Sequence, residues 1–219
     1  MDFFKKKRKK NYPDFWLEYE AKFEKKVDYT ISEIRFVVFD TETTGFDYDA
    51  DRILSIGALS IKNNSIPIND SFEVFLYQHF YHAKNIEIHG ILQEERQERI
   101  TELEALIKFL EYIGDSVLVA HHAGFDRNMI NHALNRHGMP NLKNKFLDTS
   151  VLYKRTLIKS PLLQVKPQYS LDELAEKFDI TKKDRHTALG DAYITAIAFI
   201  KIVQRLKTKK NFSAKKLLK

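Results

Sequence analysis

The chain has 219 residues, enough for one domain with a sizeable core and short appendages. It contains no cysteine, which excludes disulfides and thiolate metal sites, and no apolar run long enough to cross a bilayer. The net charge of +6 divides unevenly, with +5 on residues 1–10, +8 on 201–219 and −7 on 11–200.

Basic ends on an acidic body suit a binder of phosphate polymers that gathers cations at its site; for the ends alone, disordered solubilising segments are the simpler reading. The start, MDFFKKKRKK, lacks the apolar centre of a signal peptide, so a soluble, cytoplasmic protein is expected. Residues 1–30 read as a basic extension, disordered over 1–10. An amphipathic helix from Tyr12 to Val27 follows, built around Phe15, Trp16, Leu17, Tyr19 and Phe23, which packs on the domain or on a partner. The main domain is expected over 31–206 and a basic tail over 207–219.

Phe36, Val37, Val38 and Phe39 form a run too short for a helix and rich in β-branched and aromatic residues, the pattern of a buried strand. Arg52–Lys62 and Ser71–Leu76 read as two more strands, with a turn at Asn63-Asn64-Ser65, so that the three form an antiparallel meander. Asn85–Ile91 is irregular. Thr101–Tyr112 has helical spacing and stops at Gly114. Val117–Ala120 is a fourth strand, HHAGFD leads into a helix over Arg127–Arg136, and Lys145–Leu147 is a short fifth strand. Asp148 or Thr149 caps the next helix, and Lys159–Gln168 with its two prolines is a loop. Ser170-Leu171-Asp172-Glu173 has capping-box form for a helix to Phe178, and the last helix runs from about Ala188 to Leu206.

Asp40 and Glu42 end the first strand two residues apart, so their carboxylates share a side of the extended backbone. Two like charges at about 4 Å repel by roughly 4 kcal/mol at an effective dielectric near 20. A hard divalent cation would relieve that; a solvated turn is the alternative. Asp126 stands where a helix follows a core strand, and Asp191 lies in a segment of the last helix too apolar for a solvated face. His186 precedes Asp191 by five residues, near the helix end. Taken singly, Asp126 reads as a cap and Asp191 as a buried hydrogen-bonded acid.

Together DTETTG, HHAGFD and HTALGD resemble the three sequence blocks of the DEDDh family of 3′–5′ exonucleases, which includes the proofreading subunits of bacterial replicative polymerases. The resemblance covers roughly Arg35–Ile200. It departs at His122, where the family usually has Asn, and Thr187 stands where the tyrosine-type subfamily would need Tyr. The resemblance implies an α/β, ribonuclease H-like fold: a mixed sheet of about five strands, antiparallel meander plus parallel strands, flanked by helices. It implies that Asp40 bridges two Mg²⁺ or Mn²⁺ ions, that Glu42 and Asp191 complete one site, that Asp126 supports the other, and that His186 is the general base. It further implies contacts to the terminal nucleotide from Thr43, Phe46, Ile88, His89 and Phe125. The expected activity is release of nucleoside 5′-monophosphates from single-stranded DNA 3′ ends, alone or with a DNA polymerase subunit as partner. RNA 3′-end trimming and a non-catalytic nucleic-acid-binding module are the competing readings.

Overall fold

Strand β1 (Phe36–Thr43) pairs on both sides, antiparallel with β2 (Ile53–Ile61) and parallel with β5 (Val117–Ala120). β3 (Ser71–Leu76) lies antiparallel on β2 and carries β4 (Arg99–Ile100) parallel on its far edge, while β6 (Phe146–Asp148) runs parallel to β5. The resulting mixed sheet has six strands in the order β4-β3-β2-β1-β5-β6. These relations come from a computed structural model, which describes residues 11–24, 30–67, 69–78, 98–157, 166–210 and 212–219.

Helices cover both faces, so the strands at the centre of the sheet are apolar on both sides. The alternation in β1 sorts them: Val37 and Phe39 pack with α1 (Asp14–Ala21), α2 (Glu102–Ile113) and α3 (Gly124–Arg136). Phe36 and Val38 pack on the other side with α4 (Thr149–Thr156), α5 (Leu171–Phe178), α6 (Ala188–Lys207) and α7 (Ala214–Leu217). Local signals place the helix starts. Thr101 and Ser170 each close a capping box, with Glu104 and Glu173, and Asp148 caps α4 by accepting from Ser150 N and Val151 N.

Four features differ from the sequence expectation. The sheet gains a sixth strand, β4, whose two residues are too few for any periodicity to reveal. Helix α1 spans Asp14–Ala21, shorter than the Tyr12–Val27 pattern, of which residues 25–27 lie outside the described residues. It belongs to the core: Trp16 is fully buried, and the Tyr19 hydroxyl donates to Asn144 Oδ1 at 2.6 Å. Helix α3 begins at Gly124 rather than Arg127, because Asp148 accepts from His122 N and Ala123 N and folds the HHAG segment into a turn. Lastly, the disordered-tail reading fails for residues 212–219. Ser213 caps α7, Leu217 is fully buried, and Arg155 donates to the Lys216 carbonyl at 2.5 Å. Residues 1–10 and the stretch 85–91 lie outside the described residues.

Candidate active site

The period of two that buries Phe36 and Val38 under α6 carries Asp40 and Glu42 onto the same face of β1. Gly57 lies opposite Asp40 in the β1–β2 register, and a Cβ there would overlap Leu189 N and Ala188 C. Only glycine therefore lets the first turn of α6 settle on the sheet, and that turn holds Asp191. The carboxylates of Asp40, Glu42 and Asp191 come together with one oxygen of each within 4.8 Å of the others. Glu42 and Asp191 are buried and Asp40 is partly buried.

Asp126 reaches the same strand from the opposite face. Thr41, between the two acids, donates from its N–H and its hydroxyl to Asp126 Oδ1 at 3.0 and 2.8 Å. Asp126 is thus fixed next to Asp40 without belonging to the three-carboxylate group.

Charge so confined raises carboxyl pKa values. Burial, then Asp126, Glu42 and Asp191, hold Asp40 well above the ordinary carboxylate range, against the pull of the Arg185 guanidinium. Burial raises Asp126 to about 7 despite the hydrogen bonds from Thr41. Asp191 is raised to about 6, again by burial, against Arg185 and the His186 N–H.

The segment before α6 supplies both of those groups. His186 N donates to Asp191 Oδ1 at 3.3 Å, and its imidazole is exposed at the rim of the cluster, Nδ1 lying 3.4 Å from Arg185 Nη1. Arg185 is ion-paired with Asp191 Oδ2 and with Asp172 on α5. Asp184 and His186 both take positive φ, and Gly190 gives this loop room, since a Cβ there would overlap the Asp184 carbonyl oxygen.

Of the residues expected at the terminal nucleotide, Phe46 is 87% exposed and tilts against Phe125, the neighbour of Asp126 in the chain, which in turn meets Tyr48. Thr43 is buried, and its hydroxyl donates to the Gly45 carbonyl at 2.7 Å, so in this conformation it is spent on the turn. Ile88 and His89 lie outside the described residues.

Sequence reasoning overlooked Gly57, Arg185 and Asp51, and read Asp148 only as a helix cap, not as the acceptor that folds the HHAG turn. Asp51 holds the TTGFD loop by accepting from Thr44 Oγ1 at 2.7 Å and Asp47 N at 2.9 Å. His122, the departure from the family pattern, has φ +58°, a conformation in which Asn and His are both enriched, so the substitution suits the turn.

The donor set fits a hard divalent ion. It offers oxygen atoms only, and octahedral ligands about 2.1 Å from an ion lie at most about 4.2 Å apart, close to the spread found here. Protons held by the raised carboxyls occupy charge that a cation would balance instead.

The family model described as Exonuclease, of RNase T type, matches residues 37–199, a span that contains all four acids and His186. A PolC-type DNA polymerase III of Thermotoga maritima is 33% identical over 180 residues, and one of Caldanaerobacter subterraneus is 38% identical over 175. These alignments take in 82% and 80% of this chain but only 13% and 12% of the polymerases. Among solved structures, E. coli Exonuclease I in complex with a dT13 oligonucleotide superposes with a TM-score of 0.68 at 16% identity, over 80% of this chain and 42% of that one. Exonuclease X in complex with 5′ overhanging duplex DNA gives 0.60 at 21%, over 84% and 97%. Both likenesses concern the fold. With its model matching from β1 into α6, the chain belongs to the exonuclease family.

Proposed function

We propose that this chain is a metal-dependent 3′–5′ exonuclease that hydrolyses the terminal phosphodiester of single-stranded DNA and releases nucleoside 5′-monophosphates. The observation that carries the proposal is the convergence of Asp40, Glu42 and Asp191 within 4.8 Å, with Asp126 clipped to the backbone between the first two. Those four acids would hold two ions, Mg²⁺ or Mn²⁺, which when bound supply Lewis-acid activation and neutralise charge on the leaving 3′ oxygen. His186, exposed at the rim, would serve as the general base that takes a proton from the attacking water. Phe46 offers an open aromatic face, and stacking tolerates any base, as a sequence-independent exonuclease requires. Similarity to PolC-type polymerases favours DNA over RNA, a proofreading or repair role, and a polymerase as partner.

A time course on 3′-labelled single-stranded DNA, matched RNA and a mismatched duplex, each with Mg²⁺ and with EDTA, tests this. Monophosphates are expected from DNA with Mg²⁺ and not with EDTA. Asp40→Ala is expected to lower the rate by more than about 100-fold, the upper loss for a mere outer-shell partner. Faster release from RNA would indicate the trimming activity instead. Binding without turnover would leave a nucleic-acid-binding module.

A further inference from the structure

A cation already stands against the acidic cluster. Arg185 Nη1 is bonded to Asp191 Oδ2, while the other oxygen of Asp191 accepts from His186 N–H at 3.3 Å. Both oxygens of a carboxylate that converges with Asp40 and Glu42 are therefore engaged in this state. Arg185 has a second anchor outside the cluster. Its Nε donates to Asp172 Oδ1 at 3.0 Å and its Nη2 approaches Asp172 Oδ2 at 3.5 Å, on the first turn of α5.

We propose that Arg185 is a displaceable counter-cation of the acidic cluster, holding Asp191 until a divalent ion takes that carboxylate and then falling back on Asp172. This rests on the metal site proposed above. A guanidinium keeps its charge at any working pH, so it cannot yield to an incoming cation by losing a proton and has to move. The fork on Asp172 gives it a place to go without losing its own neutralisation. Asp172 is half-exposed, with 44% of its side chain accessible, so it can keep the guanidinium at the rim, where a substrate phosphate would arrive. Arg185 is then a positioning residue: it orders Asp191 and the His186 loop before the ion binds.

Competition of this kind is reciprocal, because whatever the ion does to the Arg185–Asp191 pair, the pair does to the ion. Calorimetric titration of Mn²⁺ into the full chain, into Arg185→Gln and into Asp172→Asn reads it without recourse to activity. Arg185→Gln is expected to bind Mn²⁺ more tightly by at least about fivefold, the low end of typical coupling between sites. Asp172→Asn is expected to bind more weakly, since Arg185 is left with Asp191 alone. Equal or weaker binding by Arg185→Gln would overturn the proposal and make Arg185 an organiser of the metal site. Should that variant not fold, Asp172→Asn, altered only at a half-exposed side chain, carries the test, and unchanged or tighter binding there overturns it. Absence of Mn²⁺ binding to the unaltered chain would overturn the metal site itself, a result distinct from binding that neither substitution changes.

Discussion

Single side chains at this site are defined by what they are forced to share. Asp40, Glu42 and Asp191 are legible in the sequence because each breaks an apolar pattern, two at the end of a core strand and one in a buried helix turn. Arg185 is not: it reads as one more basic residue in a charged loop, and only the fold turns it toward Asp191. His121 is a second case. It lies in the HHAG turn with 9% exposure, and its Nε2 faces the Tyr169 carbonyl at 3.0 Å. A carbonyl only accepts, so Nε2 carries the proton and Nδ1 accepts from the Thr149 hydroxyl at 2.8 Å. Burial, with His122 beside it, lowers this imidazole to about 4 from an ordinary 6.5. The sign follows from the lowered value. Folding favours the neutral ring, so its contribution is complete above pH 6.5 and is lost as pH falls toward 4, amounting to about 3 kcal/mol. NMR of the ring nitrogens is expected to show the Nε2-protonated neutral tautomer persisting below pH 5. A titration midpoint at 6 or above would mean that the site is wetter than its burial indicates.

At the scale of elements, the strands with several residues of alternation and the helices with caps were readable, and their errors have local causes. β4 has two residues and no period; α3 starts early because a carboxylate from the distant Asp148 folds the turn before it; α7 forms because Leu217 finds a pocket that nothing in its own sequence announces. The contact that makes the site is also invisible locally. Gly57 looks like a flaw in a strand, yet it is the point where β2 admits the backbone of α6. Gly57→Ala is expected to push the first turn of α6 off the sheet, costing about 1–3 kcal/mol as overpacking does. It is expected to damage the acidic cluster more than the fold, because Asp191 moves with that turn. Urea denaturation and a Mn²⁺ titration on the same variant separate the two effects. A stability loss with Mn²⁺ affinity unchanged would show that α6 holds Asp191 in place by some other contact.

Across the whole molecule, α6 separates two kinds of charge. Its first turn holds Asp191 in the acidic cluster, and its 20 residues, about 30 Å at 1.5 Å each, end at the basic segment over 207–219. That span is several Debye lengths at physiological salt, so charges at the far end of the helix are screened from the cluster. The relief has to come from protons, from Arg185 or from a bound ion. Raised carboxyls stabilise the fold below their unfolded value near 4, and Asp191 loses that contribution as pH rises through about 6. At pH 7.5 repulsion is therefore least relieved by protons, and an ion that binds only the folded cluster has its greatest effect. At 100 times its dissociation constant such an ion contributes roughly 2.7 kcal/mol, and for a chain of this size each kcal/mol moves Tm by about 2–4 °C, so Mn²⁺ is expected to raise Tm by roughly 5–11 °C. Asp191→Asn removes one converging ligand and one buried charge; it is expected to lose most of that rise and to melt no lower than the unaltered chain without metal. Thermal melts of both proteins at pH 7.5, with and without Mn²⁺, decide the matter. An equal rise in both would place the ion elsewhere and leave Asp191 as a buried acid held by Arg185 and the His186 backbone.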